Sequence, residues 1–206
     1  MPELSITPDE AQKITIESYN QHVDEYLDKR SEQEDRTMAF WPGVEYFLKH
    51  LEPGEKIFEI GSGSGTDAKM IEELGFKVRR SDAAKSFLQL LTEQGYESEY
   101  YNVLDGPHAE KCSAIFANAV LLHFNEEQFG VALDNIYQSL LPDGLLCIGM
   151  KLGDFEGWRE KGLAGKRYFK FWKLDELDKK LARAHLKVLN SVITPLKDFV
   201  IITATK

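Results

Sequence analysis

An α/β fold, with a mostly parallel sheet and helices on both of its faces, is what this sequence predicts, and three observations carry the expectation. The apolar pair Ile57-Phe58 opens directly into Glu59-Ile60-Gly61-Ser62-Gly63-Ser64-Gly65, a strand running into a tight turn. Helix-patterned and strand-patterned segments then alternate as far as Met150. Two further β-patterned runs, Leu186 to Thr194 and Asp198 to Thr205, close the chain, and Pro195-Leu196-Lys197 can join them as an antiparallel hairpin at one sheet edge. Seven strands in one sheet follow. A chain of 206 residues with 43% hydrophobic content supplies one core and leaves no room for a second domain.

Taken in order, Thr7-Pro8-Asp9-Glu10 has the form of a capping box with proline at the first helical position. The first helix therefore starts at Pro8 and is expected to run to about Arg30, with Tyr19 and Tyr26 on one face. Ser31-Glu32-Gln33-Glu34-Asp35-Arg36 is too polar to pack and reads as a flexible link, after which Pro42 can open a second helix through His50. Glu52-Pro53-Gly54-Glu55 turns into strand one. Asp67 to Leu74 reads as the next helix, closed by Gly75, and Phe76 to Ser81 as strand two. Gly95 ends a further helix before strand three, Ser98 to Tyr101, and strand four is Cys112 to Ala117. Asn125 with Gln128 caps a helix that turns Phe129, Leu133, Ile136 and Leu140 inward, and Leu140-Leu141-Pro142-Asp143-Gly144 leads into strand five. Residues 151 to 173 are rich in Gly, Lys, Arg and aromatics, and Leu174 to Ala184 is a helix with Leu177 and Leu181 inward. The chain divides on this basis into a helical cap (1–52), a core (53–150) and a cover with the closing hairpin (151–206).

Composition narrows the function classes. A net charge of −9 argues against broad binding to nucleic acid or anionic membranes, both of which need a basic surface. Cys112 and Cys147 each fall at or in a predicted buried strand, where reduced structural thiols are expected, and no zinc spacing is present. The N-terminal residues lack a basic region followed by an apolar core, and no apolar run approaches the roughly 18 residues of a membrane span. Cytoplasmic location is the resulting expectation, as a monomer or homodimer.

The glycine turn carries the chemistry. Its spacing is G-x-G-x-G, whereas a dinucleotide turn uses G-x-G-x-x-G, and Thr66 stands where that motif has its third glycine. No Gly-Lys-Ser/Thr follows, so no lysine is aimed at a triphosphate. Glu59, just before the turn, would repel a pyrophosphate and suit a ligand with cationic groups such as a sulfonium and an α-amine. S-adenosylmethionine fits that description. A bare strand-to-helix turn without ligand is the plainer alternative.

The turn resembles motif I of the class I S-adenosylmethionine-dependent methyltransferases, a Rossmann-like family. Asp82, 21 residues beyond Gly61, matches the family's acid at the end of strand two, and Ala117-Asn118-Ala119-Val120-Leu121-Leu122-His123-Phe124 is similar to its strand-four motif. Leu140-Leu141-Pro142-Asp143-Gly144 resembles the family's L-x-P-G-G turn, with Asp143 replacing one glycine. More narrowly, the Leu-Leu-His-Phe setting of His123, Gly153 to Trp158 and Arg167-Tyr168-Phe169 resemble a group of bacterial small-molecule methyltransferases, some labelled for tellurite resistance. Where the family often has glycine after its last helix, this chain has His185.

The resemblance implies a cofactor site formed by Tyr19, Glu59, Gly61, Ser62, Gly63, Gly65, Asp82, Ala83, Asn102, Val103 and Ala117, holding S-adenosylmethionine and releasing S-adenosylhomocysteine. Asp82 would take the ribose hydroxyls, unless it only caps the next helix, and Ala117 would offer its carbonyl. Asn102 stands where the family commonly has Asp, and Asp105 is the alternative equivalent. An N-terminal helical lid would bring Tyr19 and Tyr26 over the ligands, though both suit a core equally. His123 is the candidate catalytic base, or else it braces its loop. Tyr26, Trp158, Arg167 and Tyr168 are the candidate acceptor residues, and Trp158, Arg159, Lys166, Arg167, Tyr168 and Phe169 would form a mobile cover over the acceptor, hinged at Gly157, Gly162 and Gly165. The implied reaction is methyl transfer to a small-molecule acceptor, which the basic aromatic cover would let be anionic; no metal is expected. A non-catalytic cofactor-binding or regulatory protein and a nucleotide-dependent oxidoreductase are the alternatives.

Overall fold

A computed structural model describes residues 7–31, 34–160 and 165–206, with backbone alone for 30, 31 and 34–40. Helices α1 (Pro8–Gln21), α2 (Val23–Ser31) and α3 (Glu34–Leu48) precede β1 (Lys56–Ile60), α4 (Thr66–Glu73), β2 (Lys77–Asp82), α5 (Lys85–Glu93), β3 (Ser98–Tyr100) and β4 (Cys112–Asn118). A 3₁₀ turn, Leu121–His123, leads to α6 (Glu126–Ser139) and β5 (Leu140–Lys151). The chain closes through β6 (Glu156–Arg159), β7 (Arg167–Lys170), α7 (Leu174–Arg183), β8 (Lys187–Ile193) and β9 (Phe199–Thr205).

Seven strands form one sheet in the order β3-β2-β1-β4-β5-β9-β8. The first five are parallel, and β9 runs antiparallel between β5 and β8, as the closing-hairpin pattern predicts. Alternating residues serve opposite faces. Ile57, Ala114, Phe116, Cys147 and Ile201 pack under Trp41, Val44, Phe47 and Leu48 of α3. Their neighbours Phe58, Ile115, Ala117, Leu146, Ile148 and Ile202 pack with Phe129, Leu133 and Ile136 of α6 and Leu177 and Leu181 of α7. Strand order reverses between β1 and β4, and a crevice opens there at the carboxyl ends of both.

Local signals behave as their chemistry dictates. Thr7 and Asn125 form reciprocal capping boxes with Glu10 and Gln128. Gly75 and Gly95 take the left-handed conformation after α4 and α5. His185 does the same after α7 with φ of 60°, so a non-glycine side chain occupies a glycine-type cap.

Three expectations need correction. The first helix breaks at His22, whose ring lies against Gly165 and whose Nδ1 is 2.9 Å from the Ser18 carbonyl, and α2 follows as a separate helix from Val23. Pro42 lies inside α3, which already begins at Glu34, rather than opening it. Burial of Trp41, Val44, Phe47 and Leu48 around it offsets the roughly 3 kcal/mol that an interior proline costs. Glu34, Asp35 and Arg36 are therefore helical, whereas Glu32 and Gln33, the middle of the expected link, lie outside the described residues. Finally, residues 151–173 contain the antiparallel ribbon of β6 and β7, which their mixed composition concealed.

Candidate functional site

The glycine turn follows β1, and two of its glycines, Gly61 and Gly65, answer different steric demands. At Gly61, φ is 73° and a Cβ would drive into Val120 of the loop after β4. A Cβ on Gly65 would stand 2.7 Å from Leu91 of α5. Two consecutive amides, Gly61 N–H and Ser62 N–H, donate to the Ser81 carbonyl at 2.9 Å and tie the turn to β2.

Asp82 completes this end. One carboxylate oxygen accepts Gly63 N–H at 2.9 Å and the other accepts Ala84 N–H at 2.8 Å. Burial raises its pKa to about 6, against those backbone donors. The carboxylate thus ties the glycine turn to the entry of α5, whose N-cap, Ala84, has no side-chain cap. Glu59 is only 2% exposed beneath the turn, and burial pushes its carboxyl up to about 8, opposed by Ser62. Its Oε2 is buried with no hydrogen-bond partner. Burial thus favours the protonated form of Glu59.

A cavity of about 420 Å³ extends from the turn toward the C-terminal ribbon. Tyr19, Tyr26, Gly61, Ser62, Gly63, Asp82, Ala83, Asn102, Val103, His123 and Arg167 all line it. Glu59, Gly65 and Ala117 do not. Glu59 lies under the turn, and Gly65 packs on Leu91. Ala117 is buried within β4 opposite Ile148, so Asn118, Ala119 and Val120 form the wall instead. Asn102 rather than Asp105 reaches the cavity; its Oδ1 accepts Gln12 Nε2–H at 2.7 Å and its Nδ2 donates to Asp105 at 2.9 Å.

Trp158 and Tyr168 also miss the cavity, for a reason of pleat. Trp158 lies opposite Tyr168 in the ribbon and Arg159 opposite Arg167, and consecutive residues face opposite sides. The cavity side carries Arg159, Arg167 and Phe169, while the other side carries Trp158, Tyr168, Glu156 and Lys170. Of the expected hinge glycines, Gly157 and Gly165 have positive φ and Gly162 lies outside the described residues.

His123 is buried at the junction of roof and ribbon. Its Nδ1 is 2.7 Å from the Tyr168 carbonyl, which can only accept, so Nδ1 carries the proton and Nε2 presents a lone pair. Tyr19 Oη, 2.9 Å away, donates to that lone pair and itself accepts from Arg167 Nη1 at 3.1 Å. Burial lowers the His123 pKa to about 3, with Arg167 adding to the effect against the Tyr168 bond. A neutral imidazole already engaged at both nitrogens braces the loop and is poorly suited to act as a general base.

Sequence patterning left several lining residues unassigned. Gln12, Thr15 and Ile16 come from α1, and Gln12, Ile16 and Tyr19 share one helical face at i, i+4 and i+7, a spacing that could have found them. Arg159 and Phe169 belong to the expected cover, and the ribbon register decides that both face the cavity. Among the described residues no group of His, Cys, Asp and Glu side chains could hold a metal ion, and no helix is long and apolar enough to cross a membrane.

Comparison with known proteins gives these features a family. Residues 58–148 match the family model described as a methyltransferase domain. A mouse tRNA (carboxymethyluridine(34)-5-O)-methyltransferase is 25% identical over 163 residues, covering 77% of this chain; the chain spans about a quarter (24%) of that relative's length. The Burkholderia thailandensis 1,6-didemethyltoxoflavin-N1-methyltransferase, solved with its acceptor and S-adenosylhomocysteine, is similar in fold with a TM-score of 0.73 at 22% identity, covering 97% of this chain and 90% of its own. A TehB-like S-adenosylmethionine-dependent methyltransferase from Corynebacterium glutamicum gives 0.69 at 16% identity, with 90% and 98% covered. The matched domain, the strand order and the glycine turn together give this chain a methyltransferase domain built on the Rossmann-like fold of the class I enzymes.

Proposed function

We propose that the chain transfers a methyl group from S-adenosylmethionine to a small-molecule acceptor, with both ligands held in the cavity under α1. The observation that carries this is the cavity's polarity: Gly61–Gly63 and Asp82 line one end and Arg159, Arg167 and Phe169 the other. The residues fit the cofactor, since Gly61 and Gly63 keep the turn's backbone open at the cavity wall, Asp82 offers a carboxylate and Glu59 keeps an orphaned oxygen under the turn. Asp82 would hold the ribose, Asn102 and Val103 would flank adenine, and Tyr19 and Tyr26 would cover the methionine portion. S-adenosylmethionine supplies an activated methyl group, so the protein's task is alignment of an incoming nucleophile in a site closed to water.

Gln12, Thr15, Ile16 and Tyr19 roof the cavity from α1, and Tyr168 N–H donates to Thr15 Oγ1 at 3.1 Å, joining roof to ribbon. That enclosure suits a small acceptor better than a folded nucleic acid. The mouse relative's name assigns it a tRNA acceptor, but a net charge of −9 gives this chain no broad basic surface for RNA. Titration calorimetry with S-adenosylhomocysteine is expected to give one site, weakened about tenfold or more in Asp82→Ala through loss of charged hydrogen bonds. Turnover is then assayed against small molecules and against bulk tRNA. Absence of S-adenosylhomocysteine binding overturns the cofactor assignment; methylation of tRNA alone overturns the acceptor class.

A further inference from the structure

Arg159 and Arg167 are direct cross-strand partners in the ribbon, and both line the cavity. Like charges directly opposite each other on an antiparallel pair repel. The outward side of the same ribbon is balanced, with Lys170 paired to Glu156 and the Tyr168 hydroxyl also donating to Glu156. No acid answers the inward pair. Among the described residues neither arginine has a carboxylate within ion-pair distance, and the cavity's nearby Asp198 is 3.7 Å from Lys151. Glu25 senses the charge of Arg167 but is paired with Lys29 on the exposed side of α2.

Arg167 is the more telling of the two. It is 5% exposed, its Nε is buried with no hydrogen-bond partner, and its Nη1 donates to Tyr19 Oη. The Tyr19 and Phe169 rings lie 5.3 and 5.1 Å from the guanidinium. A buried guanidinium with no counter-anion is costly to the fold, and its planar fork matches a carboxylate in two-point contact.

We infer that Arg159 and Arg167 form an anion subsite for the methyl acceptor, taking a carboxylate carried on an aromatic body that lies against Phe169. The inference rests on the methyl-transfer reading above and adds the acceptor's charge and shape. Arg167 would clamp the carboxylate from within the site, and the exposed Arg159 would close over it from the rim. The cofactor's own carboxylate is the competing source of the same chemistry.

Calorimetry on the full chain separates these. Wild-type protein saturated with S-adenosylhomocysteine is titrated with benzoate and with the neutral isostere benzamide. Benzoate is expected to bind about tenfold tighter or better, the usual scale of a charge-assisted pair. The preference should vanish in R167Q and shrink in R159Q, with S-adenosylhomocysteine affinity within about twofold of wild type. Arg159 is exposed, so R159Q keeps the test open should R167Q fail to fold. Equal binding of the two probes, or binding of neither, overturns the subsite while leaving the cofactor assignment standing. Loss of S-adenosylhomocysteine affinity in R167Q, with unchanged binding of 5′-methylthioadenosine, which lacks the carboxylate, assigns the arginine to the cofactor and also overturns it. Failure of the wild type to bind S-adenosylhomocysteine would strike the methyl-transfer reading instead.

Discussion

Tyr19 Oη lies 2.9 Å from His123 Nε2, so the roof helix α1 is locked by its phenol to the loop that follows β4. Because Nδ1 is spent on the Tyr168 carbonyl, the imidazole has no protonation state to offer without breaking one of these bonds. Its folded pKa of about 3 lies below the ordinary 6.5. Between those values the unfolded chain binds a proton that the folded chain does not, so stability falls as pH falls from 6.5 toward 3. The slope from this one group is at most about 1.4 kcal/mol per pH unit. Denaturant unfolding at pH 7, 6, 5 and 4 is expected to lose stability more steeply in wild type than in His123→Gln. Parallel curves for the two proteins would show that His123 titrates normally.

Glu59 gives the opposite slope. Its folded pKa, about 8, lies above the ordinary 4.5, so between pH 4.5 and 8 the unfolded chain is ionised while the folded carboxyl keeps its proton. Stability contributed by this group is present below 4.5 and is lost as pH rises toward 8. Glu59→Gln removes the ionisation and should gain on wild type by up to about 1.4 kcal/mol per pH unit across that window, levelling off above it. Thermal unfolding of both proteins from pH 4.5 to 8.5, without ligand, checks the divergence. A constant difference in melting temperature would mean that Glu59 is ionised throughout.

What was legible in the sequence was whatever local chemistry determines. The capping boxes at Thr7 and Asn125, the glycine C-caps and the β1 turn specify their own geometry within four to seven residues, and the strand order follows once they alternate. The site was legible where residues sit at strand ends, as Asp82 does. It was obscure where a side chain's direction depends on a partner strand. Arg167 and Tyr168 are adjacent in sequence, yet only the pairing of β6 with β7 decides that Arg167 enters the cavity and Tyr168 points away. Ala117 stops one residue short: Asn118, the last residue of β4, and the loop beyond it line the crevice. At the break, the His22 ring lies against Gly165, over a hundred residues distant in sequence, a juxtaposition no helical periodicity encodes.

Gly61 should tolerate no side chain. Its φ of 73° is unfavourable for an L-residue and a Cβ there collides with Val120, so Gly61→Ala is expected to destabilise by about 1–3 kcal/mol. Adding Val120→Ala removes the collision but not the backbone strain. The double variant should recover part of the loss in urea denaturation and none of it if backbone conformation alone sets the cost. S-adenosylhomocysteine affinity should fall in both, because the turn that Gly61 shapes forms the cavity wall.

His185 is the converse case, a side chain standing where glycine would be easier. With φ of 60° it follows α7, where its N–H donates to the Ala182 carbonyl and Leu186 N–H donates to Leu181 at 2.9 Å. The Leu186 bond closes the helix in a Schellman-type cap whose left-handed residue is normally glycine. His185 is exposed and far in the fold from the cavity walls, so its replacement should leave the site alone. Relief of the left-handed strain outweighs the greater freedom of glycine in the unfolded chain, and His185→Gly is expected to stabilise by about 0.5–1 kcal/mol. The midpoint of urea unfolding should rise with no change in slope, while His185→Ala, which keeps a Cβ and loses the ring contact with Tyr137 at 5.9 Å, should gain nothing. Equal stability of the glycine and alanine variants would show that the ring contact, rather than the backbone, decides this position.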